Sequence, residues 1–283
     1  MNRKPLVVEL VGLEIEMLPL IIGHRGYSQF APENTLRSFD LAIAAGVDLV
    51  ELDCHQSKDG ILMVIHDSEL SRTTDARQKW RRRLNTVHSR TAAEIQELDA
   101  GRWFDPKFAG LQVPTLAQAM ERIARKSVAL IECKSGDPRN LVQLMRERRM
   151  LHKVVVQSFD WSFLRSVHAL EPDLVLGALG PPKKLVSGRK PRAIFRRLSA
   201  TWLKELQRTG ASIVVWNHQV SQKSIQLAHQ QDLQLWIYTV NTPRRASRLL
   251  RLGVDGLITD NPSLIWRALA LARGGIDLTH RHR

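Results

Sequence analysis

The stretch Leu49-Val50-Glu51-Leu52-Asp53-Cys54-His55-Gln56-Ser57-Lys58-Asp59-Gly60-Ile61-Leu62-Met63-Val64-Ile65-His66 sets how many strands of the chain can run parallel. It holds two strand-like apolar runs, Leu49–Asp53 and Ile61–His66, separated only by Cys54–Gly60 with the turn pair Asp59-Gly60 at its end. A parallel crossover needs a dozen residues or more, so the second run must return antiparallel or form a loop arm. Seven more such runs occur along the chain: Leu20–Gly23, Val128–Cys133, Val154–Ser158, Leu174–Ala178, Ile213–Trp216, Leu235–Tyr238 and Gly256–Thr259. They alternate with longer amphipathic stretches, the pattern of βα units around a parallel sheet. With the arm set aside, eight parallel strands remain, and 283 residues suit one α/β domain, a TIM (β/α)8 barrel.

The first βα unit is well formed. Asn34 or Thr35 caps a helix whose apolar residues Leu36, Phe39, Ala42 and Ile43 share a face, with Gly46 as its stop. The second unit is interrupted after its strand: residues 68–113 carry many polar and basic side chains and read as a small insertion. Apolar residues at 43% and charged residues at 25% are ordinary globular composition and exclude a wholly disordered chain. Cys54 and Cys133 sit inside strand-like runs and read as small buried residues in a reducing compartment. The segment Leu6–Leu13 is short, carries Glu9 and does not resemble a secretory signal, and no run reaches the roughly 18 apolar residues of a membrane span. A cytoplasmic location is the expectation.

Polar residues gather at the strand ends, where barrel enzymes build their sites. The first strand runs into Gly23-His24-Arg25-Gly26, the second contains Glu51-Leu52-Asp53, the arm ends in His66-Asp67, and the next strand holds Glu132-Cys133-Lys134. Side chains alternate along a strand, so Glu51 and Asp53 share one face and Glu132 shares one with Lys134, while Cys133 points away. Three carboxylates converging in a barrel mouth would cost several kcal/mol each without a counter-ion. One divalent cation with oxygen ligands, Mg2+ or Ca2+, would supply the counter-charge and leave positions open for substrate oxygens. Zinc fits less well, because no cysteine faces inward. Two histidines beside such a cation suit general acid and base roles near neutral pH, and Arg25 and Lys134 are placed to hold a phosphate. Each residue alone has a plain reading in packing or on a solvated edge; five ionisable groups at the ends of successive strands do not.

The sequence resembles the glycerophosphodiester phosphodiesterase family. The resemblance rests on the segments above and on Ala31-Pro32-Glu33-Asn34-Thr35, Lys58-Asp59-Gly60, Pro114-Thr115-Leu116, Gln157-Ser158-Phe159, Tyr238-Thr239-Val240-Asn241 and Gly253-Val254-Asp255-Gly256-Leu257-Ile258-Thr259-Asp260, in order across residues 20 to 265. It implies a TIM barrel between residues 19 and 270 with the insertion 68–113, flanked by an extension 1–18 and a tail 271–283. It implies metal-dependent hydrolysis of glycerophosphodiesters to glycerol 3-phosphate and an alcohol. On the matching positions, Glu51, Asp53 and Glu132 look like metal ligands and His24 and His66 like the acid/base pair. Arg25 and Lys134 look like phosphate contacts. The family often has tryptophan where Tyr238 stands; Trp236 lies two residues earlier on the same strand face, so either ring would give the glycerol an aromatic surface, and Trp236 reads better as barrel packing. The resemblance is compatible with attack by water or by the substrate's own 2-hydroxyl.

The net charge of +14 is concentrated: Arg72–Arg90 contributes +6 and Pro181–Gly210 contributes +8, leaving the remainder neutral. Both segments follow strands and are expected to rim the mouth, as solvated surface or as a positive funnel for phosphodiesters or an anionic membrane. Trp80 among Lys79 and Arg81–Arg83 would permit base stacking, but no nucleic-acid motif accompanies it. Two rival readings stay open. A phosphodiesterase acting on lysophospholipids would need an apolar channel, for which Ala193–Leu206 is the candidate. A non-catalytic lipid-binding barrel would have no need of both histidines and all three carboxylates together.

Overall fold

The computed structural model describes residues 19–81, 85–191 and 197–272. Nine strands form one sheet: β1 Leu20–Gly23, β2 Leu49–Gln56, β3 Leu62–Val64, β4 Val128–Ser135, β5 Val154–Ser158, β6 Leu176–Gly180, β7 Ile213–Asn217, β8 Gln234–Tyr238 and β9 Gly256–Thr259. All pair in parallel except β3, and β1 lies between β9 and β2, so eight strands close into a barrel. β3 is the arm expected from the opening stretch: it returns antiparallel to β2, with Cys54 opposite Val64 and Gln56 opposite Leu62. Helices α1 Leu36–Ala44, α2 Ala76–Trp80, α3 Ala92–Gln96, α4 Leu116–Ile123, α5 Pro138–Glu147, α6 Trp161–Leu170, α7 Ala200–Gln207, α8 Gln222–His229, α9 Pro243–Arg251 and α10 Pro262–Ala272 lie between or after the strands.

Strand alternation sorts the core into two layers. The odd positions of β2 and the even positions of β4 face the barrel axis, where Leu49, Val128 and Leu130 join Leu20, Ile22, Val155, Val215, Trp236 and Ile258. Their neighbours Val50, Leu52, Ala129 and Ile131 face the helices instead, with Phe39, Leu116, Leu164 and Leu203. Each fully buried aliphatic side chain contributes roughly 1.5–3 kcal/mol. The apolar layers fill the lower barrel and leave the strand ends above them to polar groups. The described residues of 68–113 pack around a third cluster that includes Leu70, Val87, Ile95 and Leu98, joined to β3 through Met63.

Several details differ from the sequence reading. The sixth strand runs Leu176–Gly180 rather than Leu174–Ala178, because the turn bond from Leu174 N to Glu171 O (3.2 Å) delays entry into the sheet. Thr35, not Asn34, caps α1, accepting from Ser38 N. Leu198, Trp202 and Leu206 are buried in the outer layer, with the Trp202 ring 5.9 Å from Trp161 and 6.2 Å from Trp216. The described part of Ala193–Leu206 therefore packs on the barrel and lines no channel. Its Ile194 and Phe195, the extension 1–18, Arg82 and Arg83, and the tail from 273 onward lie outside the described residues. Among the described residues, no helix is long and apolar enough to cross a membrane.

Candidate active site

The strand alternation that buries Leu49 at the bottom of β2 carries Glu51, Asp53 and His55 up the same face. Asp53 lies directly across from Glu132 on β4. A β-bulge follows: Cys54 pairs with Cys133 but His55 with Ser135, so Lys134 is the extra residue, and such bulges re-aim side chains beside functional sites. Lys134 Nζ reaches Glu132 Oε1 at 2.7 Å and Asp53 Oδ1 at 3.2 Å. From the loop after β1, Asn34 bonds Asp53 twice, giving Nδ2 to Oδ2 at 2.9 Å and taking the Asp53 N–H at 3.1 Å. Arg25 has a left-handed backbone (φ 53°), and its N–H donates to Glu51 Oε2 at 2.9 Å. Gly26 follows at φ 84°, and a Cβ there would stand 2.6 Å from the Ser38 carbonyl carbon. The loop is held in this shape because position 26 has no side chain.

Glu51, Asp53 and Glu132 are 2%, 1% and 7% exposed. They offer ligand oxygens that all lie within 4.8 Å of one another. Burial, then the charge of Asp53, pushes Glu51 up to about 8. Burial also raises Glu132, with Asp53 adding to it. Burial works against ionisation of Asp53 too, but Lys134 and Arg25 outweigh it and hold its carboxyl below the usual range. Arg25 Nε stands 3.3 Å from Asp53 Oδ2 as an ion pair, outside hydrogen-bond geometry. Gln157 on β5 donates to Glu51 Oε1 at 3.3 Å, and its own Oε1 is buried with no partner among the described residues.

The two histidines approach this group from different elements. His24 leaves the end of β1, and its Nδ1 donates to Asp260 Oδ1 at 2.5 Å across the seam where β1 meets β9. Asp260 is in turn held by Ser28 (3.1 Å) and Asn241 (2.5 Å). His66, past the end of β3, donates from Nδ1 to Asp67 Oδ1 at 2.5 Å. His55 Nε2 donates to the His66 carbonyl at 3.0 Å and fixes its backbone. Both catalytic candidates thus keep Nε2 for proton transfer. Burial works against protonation of His24, yet Asp260 and Glu51 leave its pKa raised. Burial, with Lys134 and Arg25, lowers that of His66 despite Asp53 and Asp67.

A cavity of about 690 Å3 opens over these groups, lined by His24, Arg25, Glu51, His66, Glu132 and Lys134 among others. Its opposite wall is aromatic. Tyr238 and Phe159 meet edge to face at 6.0 Å, and Lys183 Nζ stands 5.1 Å over the Phe159 ring. The Tyr238 hydroxyl donates to Gly180 O at 2.7 Å, so this residue offers the cavity its ring. Trp236, two residues below, is fully buried against Gly256, as packing requires.

Residues 24–264 match the model of the glycerophosphoryl diester phosphodiesterase family. The chain belongs to this family. It is 32% identical over 256 residues to a glycerophosphodiester phosphodiesterase of Caldanaerobacter subterraneus subsp. tengcongensis, covering 88% of this chain and 97% of the relative. A glycerophosphodiester phosphodiesterase of Bacillus subtilis (strain 168) is 31% identical over 264 residues, covering 87% and 84%. Among solved structures, an Oleispira antarctica phosphodiesterase in complex with the product sn-glycerol-3-phosphate superposes with a TM-score of 0.76 at 26% identity, covering 89% of this chain and 97% of that one.

This phosphodiesterase family member brings together all eight residues singled out from sequence: His24, Arg25, Glu51, Asp53, His66, Glu132, Lys134 and Tyr238. The sequence alone assigned no place in the site to Asp260, Asp67, Gln157, His55 or Phe159; it offered Asn34 only as a helix cap and Lys183 only as part of a basic segment. Alternation would have found Gln157 and His55, since both continue inward-facing positions. The donor set fits a hard divalent cation: three clustered carboxylate oxygens, a buried amide oxygen without a partner among the described residues, and Cys54 and Cys133 both turned outward. Among the described residues of the two basic segments, Lys183 lines the cavity and Arg72 pairs with Glu33 and Asp67 beside it. Lys79 and Arg90 are engaged within 68–113, Lys79 with Glu97 at 2.8 Å and Arg90 with Glu94 at 3.0 Å and the Trp80 ring at 4.0 Å.

Proposed function

We propose that this protein hydrolyses glycerophosphodiesters to glycerol 3-phosphate and an alcohol, with His24 and His66 as acid and base above the carboxylates Glu51, Asp53 and Glu132. One observation carries the reading: two histidines, each with Nδ1 tied to an aspartate, share one cavity with Glu51 and Glu132, which cluster with the buried Asp53. Glu51, Asp53 and Glu132 would hold a divalent cation, Mg2+ or Ca2+, which when bound supplies positive charge against the phosphoryl oxygens. Arg25 and Lys134 flank the same carboxylates and are placed to receive the phosphodiester anion. The Tyr238 and Phe159 rings give the carbon skeleton an apolar wall. His66, with its lowered pKa, takes the proton of the attacking hydroxyl. His24, with its raised pKa, delivers a proton to the leaving alkoxide. The aspartates keep each ring in the Nδ1–H tautomer and stabilise its cationic form.

Release of glycerol 3-phosphate from glycerophosphocholine, with Mg2+, Ca2+ or EDTA, tests the reading beside a His24→Ala control. Cation-dependent release that the control loses supports it. No release from any glycerophosphodiester with any cation overturns it and directs the assay to lysophospholipids. We further propose a cytoplasmic location, supported by two free, buried cysteines. Peripheral contact of segments 72–90 and 181–210 with an anionic membrane is a separate proposal, supported by exposed Lys183, Arg189 and Lys190. Co-sedimentation with anionic vesicles at low and high salt tests it.

A further inference from the structure

Arg72 lies outside the cavity lining, in a short 3-10 turn, Leu70–Arg72, that belongs to residues 68–113. All three of its guanidinium nitrogens are used. Nη1 donates to Glu33 Oε2 at 3.0 Å and Nη2 to Glu33 Oε1 at 2.7 Å, while Nε donates to Asp67 Oδ2. Each of these carboxylates has a second task. Glu33 Oε1 also accepts from Arg25 Nη1 at 2.8 Å, and Asp67 Oδ1 accepts from His66 Nδ1 at 2.5 Å. One planar fork therefore spans two carboxylates, and each carboxylate orients a different cavity side chain. The turn itself is anchored: Leu70 is fully buried in the 68–113 core and donates to Asn85 O at 2.8 Å, and Thr74 Oγ1 donates to Leu70 O at 2.7 Å.

We propose that Arg72 is a positioning residue through which residues 68–113 set the geometry of the barrel's site, holding Asp67 against His66 and Glu33 against Arg25. The inference rests on the phosphodiesterase reading and adds to it a requirement that the barrel strands do not meet by themselves. A fork is needed for the task. The rigid guanidinium presents donors on two edges at once, whereas an ammonium is a single point and would satisfy one carboxylate at the expense of the other. The Arg72 side chain is 43% exposed, so its ion pairs add little to global stability. Loss of Arg72 is thus expected to loosen His66 and Arg25 without unfolding the chain.

The test uses the full chain with Mg2+ or Ca2+ and glycerophosphocholine. Arg72→Ala is expected to lower kcat about 10- to 100-fold, the range typical of lost outer-shell partners, with a smaller change in KM and with the melting temperature and calorimetric cation binding retained. Millimolar guanidinium is expected to restore part of the activity of Arg72→Ala and none of that of His66→Ala. Arg72→Lys is expected to stay well below the native enzyme. Nitrogen-15 NMR of the histidine rings supplies a readout independent of any substrate: His66 is Nδ1-protonated in the native chain and mixes tautomers in Arg72→Ala. Should Arg72→Ala fail to fold, Arg72→Gln carries the same measurements. A variant within twofold of native kcat and with an unchanged His66 tautomer overturns the inference. A tautomer change in a chain inactive on every glycerophosphodiester would overturn the substrate reading and leave the positioning role standing.

Discussion

The barrel carries the same couple, a histidine bonded to an aspartate, at both ends of β9. Asp260, just past the upper end of the strand, takes the Nδ1 proton of His24 at 2.5 Å. Asp255, just before the lower end, bonds His229 Nε2 at 2.9 Å and the Leu235 N–H at 2.7 Å. Both histidines have raised pKa values, and in both the aspartate raises them. The upper pair opens on the cavity that Glu51 and Glu132 line, and the lower pair joins the C-terminal turn of α8 to the loop before β9. Couple chemistry is shared; location along the barrel axis separates catalysis from support.

Substitutions at the two ends test whether position along the barrel axis separates the two couples. The largest effect is expected from His24→Ala, a loss on the order of 10^3 in kcat/KM with the melting temperature nearly unchanged. If His24 is the acid, a p-nitrophenyl phosphodiester, whose leaving group needs no proton, recovers much of the loss in His24→Ala and little in His66→Ala. Equal recovery in both variants would refute the assignment. Asp260→Asn keeps the shape and removes the charge, and kcat is expected to fall on the order of 10- to 100-fold. Asp255→Asn is expected to leave kcat alone, and a fall there would erase the distinction between the two ends.

Glu51 tests the upper end by stability rather than rate. Its folded pKa, about 8, lies above its ordinary value of 4.5, so between these values the native chain binds the proton more tightly than the unfolded chain does. Without divalent cation, stability should therefore fall as pH rises across that window. Melting temperatures in EDTA from pH 5 to 8 should show the decline, and Glu51→Gln should flatten it. Added Mg2+ or Ca2+ should raise the native melting temperature more at pH 8 than at pH 5, because the carboxylates must be ionised to bind. A cation response retained in Glu51→Gln would remove that residue from the ligand set. The smallest effect belongs to His229→Ala. Its raised folded pKa stabilises the protein below the ordinary value of 6.5 and ceases to do so as pH rises through the folded value. For a pair whose histidine is 41% exposed, the loss should be at most about 0.5 kcal/mol, seen by urea denaturation at pH 5.5 and absent at pH 8.5.

Much of this was legible because alternation along a strand is rigid: once Leu49 is placed inside, Glu51 and Asp53 follow, and β4 obeys the same rule with Glu132 and Lys134. The arm β3 was legible because seven intervening residues cannot make a crossover. Gln157 and His55 were within reach of the same rule, had alternation been carried to β5 and to the end of β2. The Asp260 partnership was not legible. Its position continues the inward face of β9, but its bond to His24 spans 236 residues and exists only through closure of the sheet. Arg72 was counted as one charge in a basic segment, since composition cannot distinguish a solvated cation from one that bridges two carboxylates.

The seam between β1 and β9 also orders events in time. His24 is among the first residues of the barrel to be synthesised and Asp260 among the last, and β1 reaches its full complement of neighbours only when β9 arrives beside it. Contacts of such sequence separation form late, after the loop between them has closed. A nascent chain halted before β9 would carry both histidines and every carboxylate of the trio, yet one ring would lack the anion that orients it. The orientation of His24 by Asp260 is therefore a property of the closed barrel, gained only when β9 takes its place beside β1.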